Sequence, residues 1–169
     1  MKYKSVTCCF TGHRTVAVCR REHTVQAVLD AIAALRKRGY TRFITGGALG
    51  FDTLAAMCVL KMAETDPEIR LILAVPCLNQ TEKWSGMPDS LNHLRLYKEI
   101  MGRADEVIYV SEHTYFDGCM KLRNQYMIDR SSVCIAYWNG SRGGTSQTVR
   151  MAQKAGLTIL NVYDEADGI

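Results

Sequence analysis

The chain has 169 residues, with 21 lysines and arginines against 17 aspartates and glutamates, a formal charge of +4. Hydrophobic residues make up 47% and charged residues 22%, which excludes disorder for most of the chain and suits one domain over residues 1–169. No apolar run approaches a membrane span and no stretch reads as a signal peptide, so no membrane partner is expected; the charge excess allows an anionic ligand without arguing for nucleic acid.

Short apolar runs alternate with helical patterns along the chain. Residues 6–10 read as a buried strand. Val25, Val28, Leu29, Ile32 and Leu35 then share one face at helical spacing, with Gly39 as a C-terminal stop. Residues 42–45 form a second short strand, and residues 53–63, apolar nearly all round, a well-buried helix. Residues 69–75 are a third strand, ended by Pro76. A polar segment over residues 77–90 interrupts the rhythm before a helix over 91–104. A strand over 106–110, a helix over 118–131, a strand over 133–138, a helix over 146–155 closed by Gly156 and a strand over 158–162 complete the series. Near-continuous apolar strands alternating with helices predict an α/β, Rossmann-like three-layer sandwich with a mostly parallel sheet.

The seven cysteines are odd in number and include no CxxC pair. Cys8, Cys9 and Cys134 sit inside strand-like runs, where free cysteine behaves as a small hydrophobe. The four histidines show no HxxxH spacing. The pattern fits reduced thiols in a cytoplasmic protein, and neither a metal nor a resident cofactor is expected.

In an open parallel sheet, ligands bind at the carboxyl ends of strands, where strand order reverses. The unusual residues of this chain fall there. Strand one runs into Thr11-Gly12-His13-Arg14, strand two into Gly46-Gly47-Ala48-Leu49-Gly50-Phe51-Asp52, and strand five into Gly140-Ser141-Arg142-Gly143-Gly144-Thr145-Ser146. Each turn alone is explained by tight strand-to-helix geometry. Three on one edge, with arginines close by, point to a phosphate-bearing ligand approached by backbone amides at a helix start. Neither glycine turn has the lysine of a P-loop or the spacing GxGxxG, which disfavours an ATPase and an ordinary dehydrogenase.

Several side chains have two readings each. Arg123 and Arg130 fall inside the apolar arc of the helix over 118–131, with Asp129 at its margin. They imply either a buried Arg–Asp pair, Arg130 with Asp129 or Asp52, or an anion clamp in which Arg123 points to the ligand edge. Asp52 either caps its helix or binds ribose hydroxyls. Trp84, in the segment with Asn79, Gln80 and Lys83, either packs the loop down or covers a ligand. His13 is a general base or a turn residue held by hydrogen bonds.

Together these residues resemble the SLOG superfamily, which includes the DNA-processing protein A and Lonely-guy lineages, and most of all its small YpsA-like branch. Thr11-Gly12-His13-Arg14 is similar to that branch's first turn and the segment from Gly46 to Asp52 to its second. Pro76, Asn79, Gln80, Lys83 and Trp84 resemble its loop after strand three, Arg123-Asn124 with Met127 and Asp129 its Arg-Asn helix motif, and Gly143-Gly144-Thr145 its last turn. The resemblance implies a Rossmann-like sheet that binds a nucleotide or nucleotide-derived ligand, and a homodimer. Lonely-guy enzymes cleave N-glycosidic bonds of nucleoside monophosphates with a glutamate in the last turn. Thr148 stands at that position here, and Asp52 or Glu112 could replace the carboxylate only where the fold brings either within reach.

The first expectation is a cytoplasmic sensor or regulator that binds a small phosphate- and ribose-bearing molecule, such as a nucleoside monophosphate or ADP-ribose. Gly143, Gly144, Thr145 and Ser146 would cradle phosphate and Arg123 would neutralise charge. Gly12, Arg14, Gly47 and Asp52 would frame the sugar, and Trp84 or Tyr115 would cover the base. His13, Gly46, Gly50, Gln80 and Asn124 complete the expected site. The alternatives are an N-glycosidase acting on a nucleotide and a single-stranded DNA binder; no basic stripe interleaved with aromatics favours the latter.

Overall fold

A computed structural model describes residues 2–164. Six strands alternate with five helices: β1 Thr7–Gly12, α1 Arg21–Lys37, β2 Arg42–Thr45, α2 Phe51–Ala63, β3 Arg70–Val75, α3 Ser90–Arg103, β4 Glu106–Tyr109, α4 Cys119–Asp129, β5 Val133–Tyr137, α5 Gly144–Lys154 and β6 Thr158–Asn161. The strands form one sheet in the order β4-β3-β2-β1-β5-β6, and every pairing is parallel. The fold is α/β and Rossmann-like, with the sheet wholly rather than mostly parallel. Among the described residues no helix is long and apolar enough to cross a membrane.

Alternation along each strand sorts the core into two layers. Cys8, Phe10, Phe43, Leu71, Leu73, Val133 and Ile135 pack against α1, α2 and α3. Cys9, Ile44, Ile72, Ala74 and Cys134 point the other way, to Met127 and Ile128 of α4 and Ala152 of α5. On α1 the buried residues Thr24, Val28, Ile32 and Leu35 recur at three- and four-residue spacing. Gly39, at φ 89°, ends that helix, with its N–H on Arg36 and the Tyr40 N–H on Leu35. Gly156 closes α5 with the same pair of bonds, to Gln153 and Ala152.

Element ends differ from the sequence expectation where pairing and burial part company. Val6 belongs to a 3-10 turn, whereas β1 continues to Gly12 because Thr11 and Gly12 pair with Ala136 and Tyr137. β5 stops at Tyr137, since the Trp138 N–H turns to the Asn161 side chain (3.1 Å). α2 and α5 each begin two residues early, at Phe51 and Gly144, and α4 ends at Asp129. The expected loop over 77–90 contains a 3-10 turn at Glu82–Trp84.

Candidate functional site

Strand order reverses between β1 and β5, so the crevice of this sheet opens at their carboxyl ends. His13 spans it. Its backbone N–H donates to the Tyr137 carbonyl (3.2 Å), and its Nε2 accepts from the Asn139 N–H (3.1 Å). Its ring meets that of Tyr137 edge-on at 6.1 Å. This is the hydrogen-bonded turn role.

The glycines of the three turns divide into two groups. A Cβ on Gly12 would lie 2.5 Å from the Phe51 ring, one on Gly46 1.7 Å from Arg123 Nη1, and one on Gly50 2.1 Å from the Arg14 carbonyl oxygen. These three are glycine because protein atoms occupy the space, and Gly50 also stands at φ 76°. Gly47, at φ 63°, faces Tyr97 and Gln80. Gly143 and Gly144 have nothing within 4 Å of an added Cβ and are exposed. The open turn is therefore the third one.

The second turn is held from within. Arg123 of α4 is buried, and its Nη1 donates to the Gly46 carbonyl and lies 4.0 Å from Asp52 Oδ2. Its Nε donates to Asn124 Oδ1 (2.8 Å). Gly46 also accepts from Gln80 Nε2 (3.2 Å). Asp52 does not cap α2; Gly50 occupies that position, and the Asp52 carboxylate instead accepts the Ala48 N–H at 3.2 Å. Burial raises the Asp52 pKa, opposed by the Arg123 charge, by the Ala48 and Gly46 amides and by Arg14. Burial likewise lowers that of Arg123, opposed by Asp52. The buried Arg–Asp pair is thus Arg123 with Asp52.

Asn124 links the same helix to the third turn. Its Nδ2 donates to Thr148 Oγ1 (2.8 Å), which donates to the Gly144 carbonyl (3.0 Å). Thr148 is buried, so the position that resembles the Lonely-guy glutamate holds a hydroxyl engaged on both sides. Glu112 is exposed on the loop after β4.

At α5 the N–H groups of the first turn have no intrahelical acceptor. Ser146 is turned inward, where its hydroxyl accepts from the Gly143 N–H (3.0 Å) and donates to the Gly143 carbonyl (2.8 Å). That exchange fixes the turn and leaves the Gly144 and Thr145 amides at its mouth. Arg142 in this turn and Arg14 after β1 are exposed, and Arg14 is close enough to act electrostatically on both Asp52 and Arg123.

The loops after β3 and β4 flank the same edge. Trp84 is buried edge-on against Tyr97 of α3 (5.3 Å), which is the packing role. Tyr115 is 39% exposed, with Lys83 Nζ 3.4 Å from its ring centroid and its N–H on Asn79 Oδ1 (2.7 Å). Gln80 is buried, and its Oε1 has no hydrogen-bond partner among the described residues. Sequence reasoning missed Thr45, whose hydroxyl lies 3.4 Å from the Gly47 N–H and donates to the Asp52 carbonyl (3.3 Å). A polar end to the run Arg42–Thr45 was its signal. It also missed Tyr97, which an ordinary amphipathic helix does not single out.

The sequence profile of the YspA SLOG family (YpsA) matches residues 8–159. The SPbeta prophage-derived protein YoqJ of Bacillus subtilis (strain 168) is 34% identical over 142 residues, which covers 78% of this chain and 79% of YoqJ. A UPF0398 protein of Halalkalibacterium halodurans is 28% identical over 145 residues, covering 85% and 71%. Among solved structures, DNA processing protein A of Helicobacter pylori, described for its single-stranded DNA binding mode, has a TM-score of 0.63 at 20% identity, covering 91% of this chain and 63% of that one. Its counterpart from Streptococcus pneumoniae has a TM-score of 0.61 at 13% identity, covering 94% and 50%. At those identities the likeness concerns the fold, and this chain spans less than two thirds of either structure. On the match over residues 8–159, the chain belongs to the YspA SLOG family.

Proposed function

We propose that the chain binds a nucleotide or nucleotide-derived ligand, bearing phosphate and ribose, in the crevice between β1 and β5, and acts as a sensor or regulator. One observation carries this reading: of the three glycine turns at the strand-order reversal, the turn from Gly143 into α5 is open, with Arg142 exposed in it and Arg14 exposed after β1. Amides at a helix start and two exposed guanidiniums suit a phosphate monoester or diphosphate. The first two turns, with Arg123, Asp52 and Asn124, position that cradle rather than touch the ligand. The buried Thr148 favours binding over N-glycoside hydrolysis, because no carboxylate stands there to activate water.

Single-stranded DNA binding is a second reading, favoured by the fold shared with the two DNA processing proteins. Calorimetric titration with adenosine 5′-monophosphate, ADP-ribose and an oligothymidylate separates the readings. We expect a nucleotide to bind, and Arg14→Ala and Arg142→Ala each to weaken it about tenfold with thermal unfolding unchanged. Release of free base would move the assignment to an N-glycosidase. Strongly salt-dependent binding of the oligonucleotide alone would move it to nucleic acid.

A further inference from the structure

The amino edge of the sheet, opposite the crevice, carries a cavity of about 260 Å³. It arises because three helices cover one face of the sheet and two the other. On the two-helix face, α4 reaches this region only with Tyr126 and its C-terminal neighbour Arg130. Beneath it lie β2, β3 and β4, whose Ile44, Ile72 and Ile108 line the apolar floor; Ile108 is half-buried, and Ile44 and Ile72 are buried below it.

The rim is cationic. Lys2, Lys4, Arg42 and Arg130 surround the cavity against one carboxylate, Glu106, which Arg42 already holds at 2.8 Å. Among the described residues Lys2, Lys4 and Arg130 have no carboxylate in ion-pair reach. In a chain of formal charge +4, most of the net excess is matched by this one rim. Three of the cations lie over aromatic faces: the Arg130 guanidinium 3.6 Å from the Tyr126 ring centroid, and the Arg42 guanidinium and Lys2 ammonium 4.9 Å and 5.5 Å from the Tyr3 centroid. A guanidinium stacked this way is held flat, with N–H donors left for an anion. Apolar floor, flat walls and unpaired cations together fit a planar ring that carries a negative group. The volume, at the small end for ligand pockets, fits one ring system with one phosphate.

We infer that this amino-edge cavity is a second binding site, for a ring-bearing organic phosphate of mononucleotide size, either free or as one unit of a strand. The site is separate from the carboxyl-edge crevice, so failure of either reading leaves the other standing.

The test is a titration of the isoleucine-methyl-labelled full chain, followed by NMR, with thymidine 5′-monophosphate, with dT6 and with inorganic phosphate. Thymidine monophosphate or dT6 is expected to shift the Ile44, Ile72 and Ile108 methyls saturably. The double variant Lys4→Gln/Arg130→Gln is expected to weaken that binding about tenfold or more, with thermal unfolding unchanged. Arg142→Gln, at the other edge, is expected to leave it intact. Much tighter binding of dT6 assigns the site to a strand and equal binding to a free nucleotide; both support it. Methyls that move with neither organic probe, or as strongly with inorganic phosphate, overturn it, as does a double variant with full affinity.

Discussion

Arg123 Nη1 lies 4.0 Å from Asp52 Oδ2 beneath the Gly46–Gly50 turn, with less than a tenth of either side chain exposed. Removing one member of such a pair strands the other charge in the interior. Arg123→Ala is expected to cost about 3–5 kcal/mol, out of about 5–15 kcal/mol for a typical domain. The double variant Asp52→Asn/Arg123→Met should recover part of that loss, because no unpaired charge remains. Urea unfolding measures both, and a cost below about 1 kcal/mol for Arg123→Ala would show that the pair does not hold the turn.

The same pair sets a pH dependence. Burial raises the Asp52 pKa above its unfolded value, so the folded chain holds that proton more tightly. The contribution is fully present below about pH 3.9, the ordinary aspartate value, and is lost as pH rises through the raised folded pKa. Wild type is therefore expected to lose stability relative to Asp52→Asn as pH rises above about 4. Stability curves for the two proteins that stay parallel across acidic pH contradict this.

Two glycine substitutions separate packing from binding. Gly46→Ala drives a methyl group into the Arg123 guanidinium and is expected to destabilise by about 1–3 kcal/mol. Gly144→Ala meets nothing within 4 Å and should unfold like wild type. Its methyl nevertheless narrows the mouth of the phosphate cradle, so nucleotide affinity should fall. Calorimetry on folded Gly144→Ala reads that loss directly, and unchanged affinity would place the ligand elsewhere.

Cysteine chemistry offers a simple check of the core. Cys19 is exposed while the other six thiols are buried, and burial pushes that of Cys58 up to about 12. Iodoacetamide at pH 8 is expected to modify one cysteine, Cys19, in the native chain and all seven after denaturation. Native labelling of Cys58 or Cys134, read by peptide mass mapping, would contradict the packing of α2 or of the β1–β5 pair.

How much of this was legible beforehand depends on whether a signal was local. Strand alternation and helical spacing are local, so all six strands and five helices are legible. The differences are confined to element ends, as at Thr11 and Gly12, where hydrogen bonds outrun the apolar run, and at Phe51 and Gly144, where helices begin early. Arg123 within an apolar arc signalled a buried charge, yet its partner could not be read, because Asp52 comes from another element across the sheet edge. The glycine turns were visible, but their division was not. Gly46 and Gly144 look alike in sequence, and only the neighbouring Arg123 makes one of them a packing position. The packing of Trp84 is illegible for the same reason, since its partner Tyr97 lies on another element.

The order in which these contacts become available along the chain has a consequence for synthesis. The Gly46 turn and Asp52 precede the residues that hold them, since Arg123 lies on α4 and the amide that meets His13 belongs to Asn139. A nascent chain that has reached Arg103 contains two of the three glycine turns, but has neither the Arg123 partner of Asp52 nor a strand beside β1 on the crevice side. The carboxyl edge is thus assembled last, by the arrival of α4 and β5. Fragments ending before residue 119 should leave the Gly46 turn held by Gln80 alone, without the Arg123 bond, however well their own strands pair.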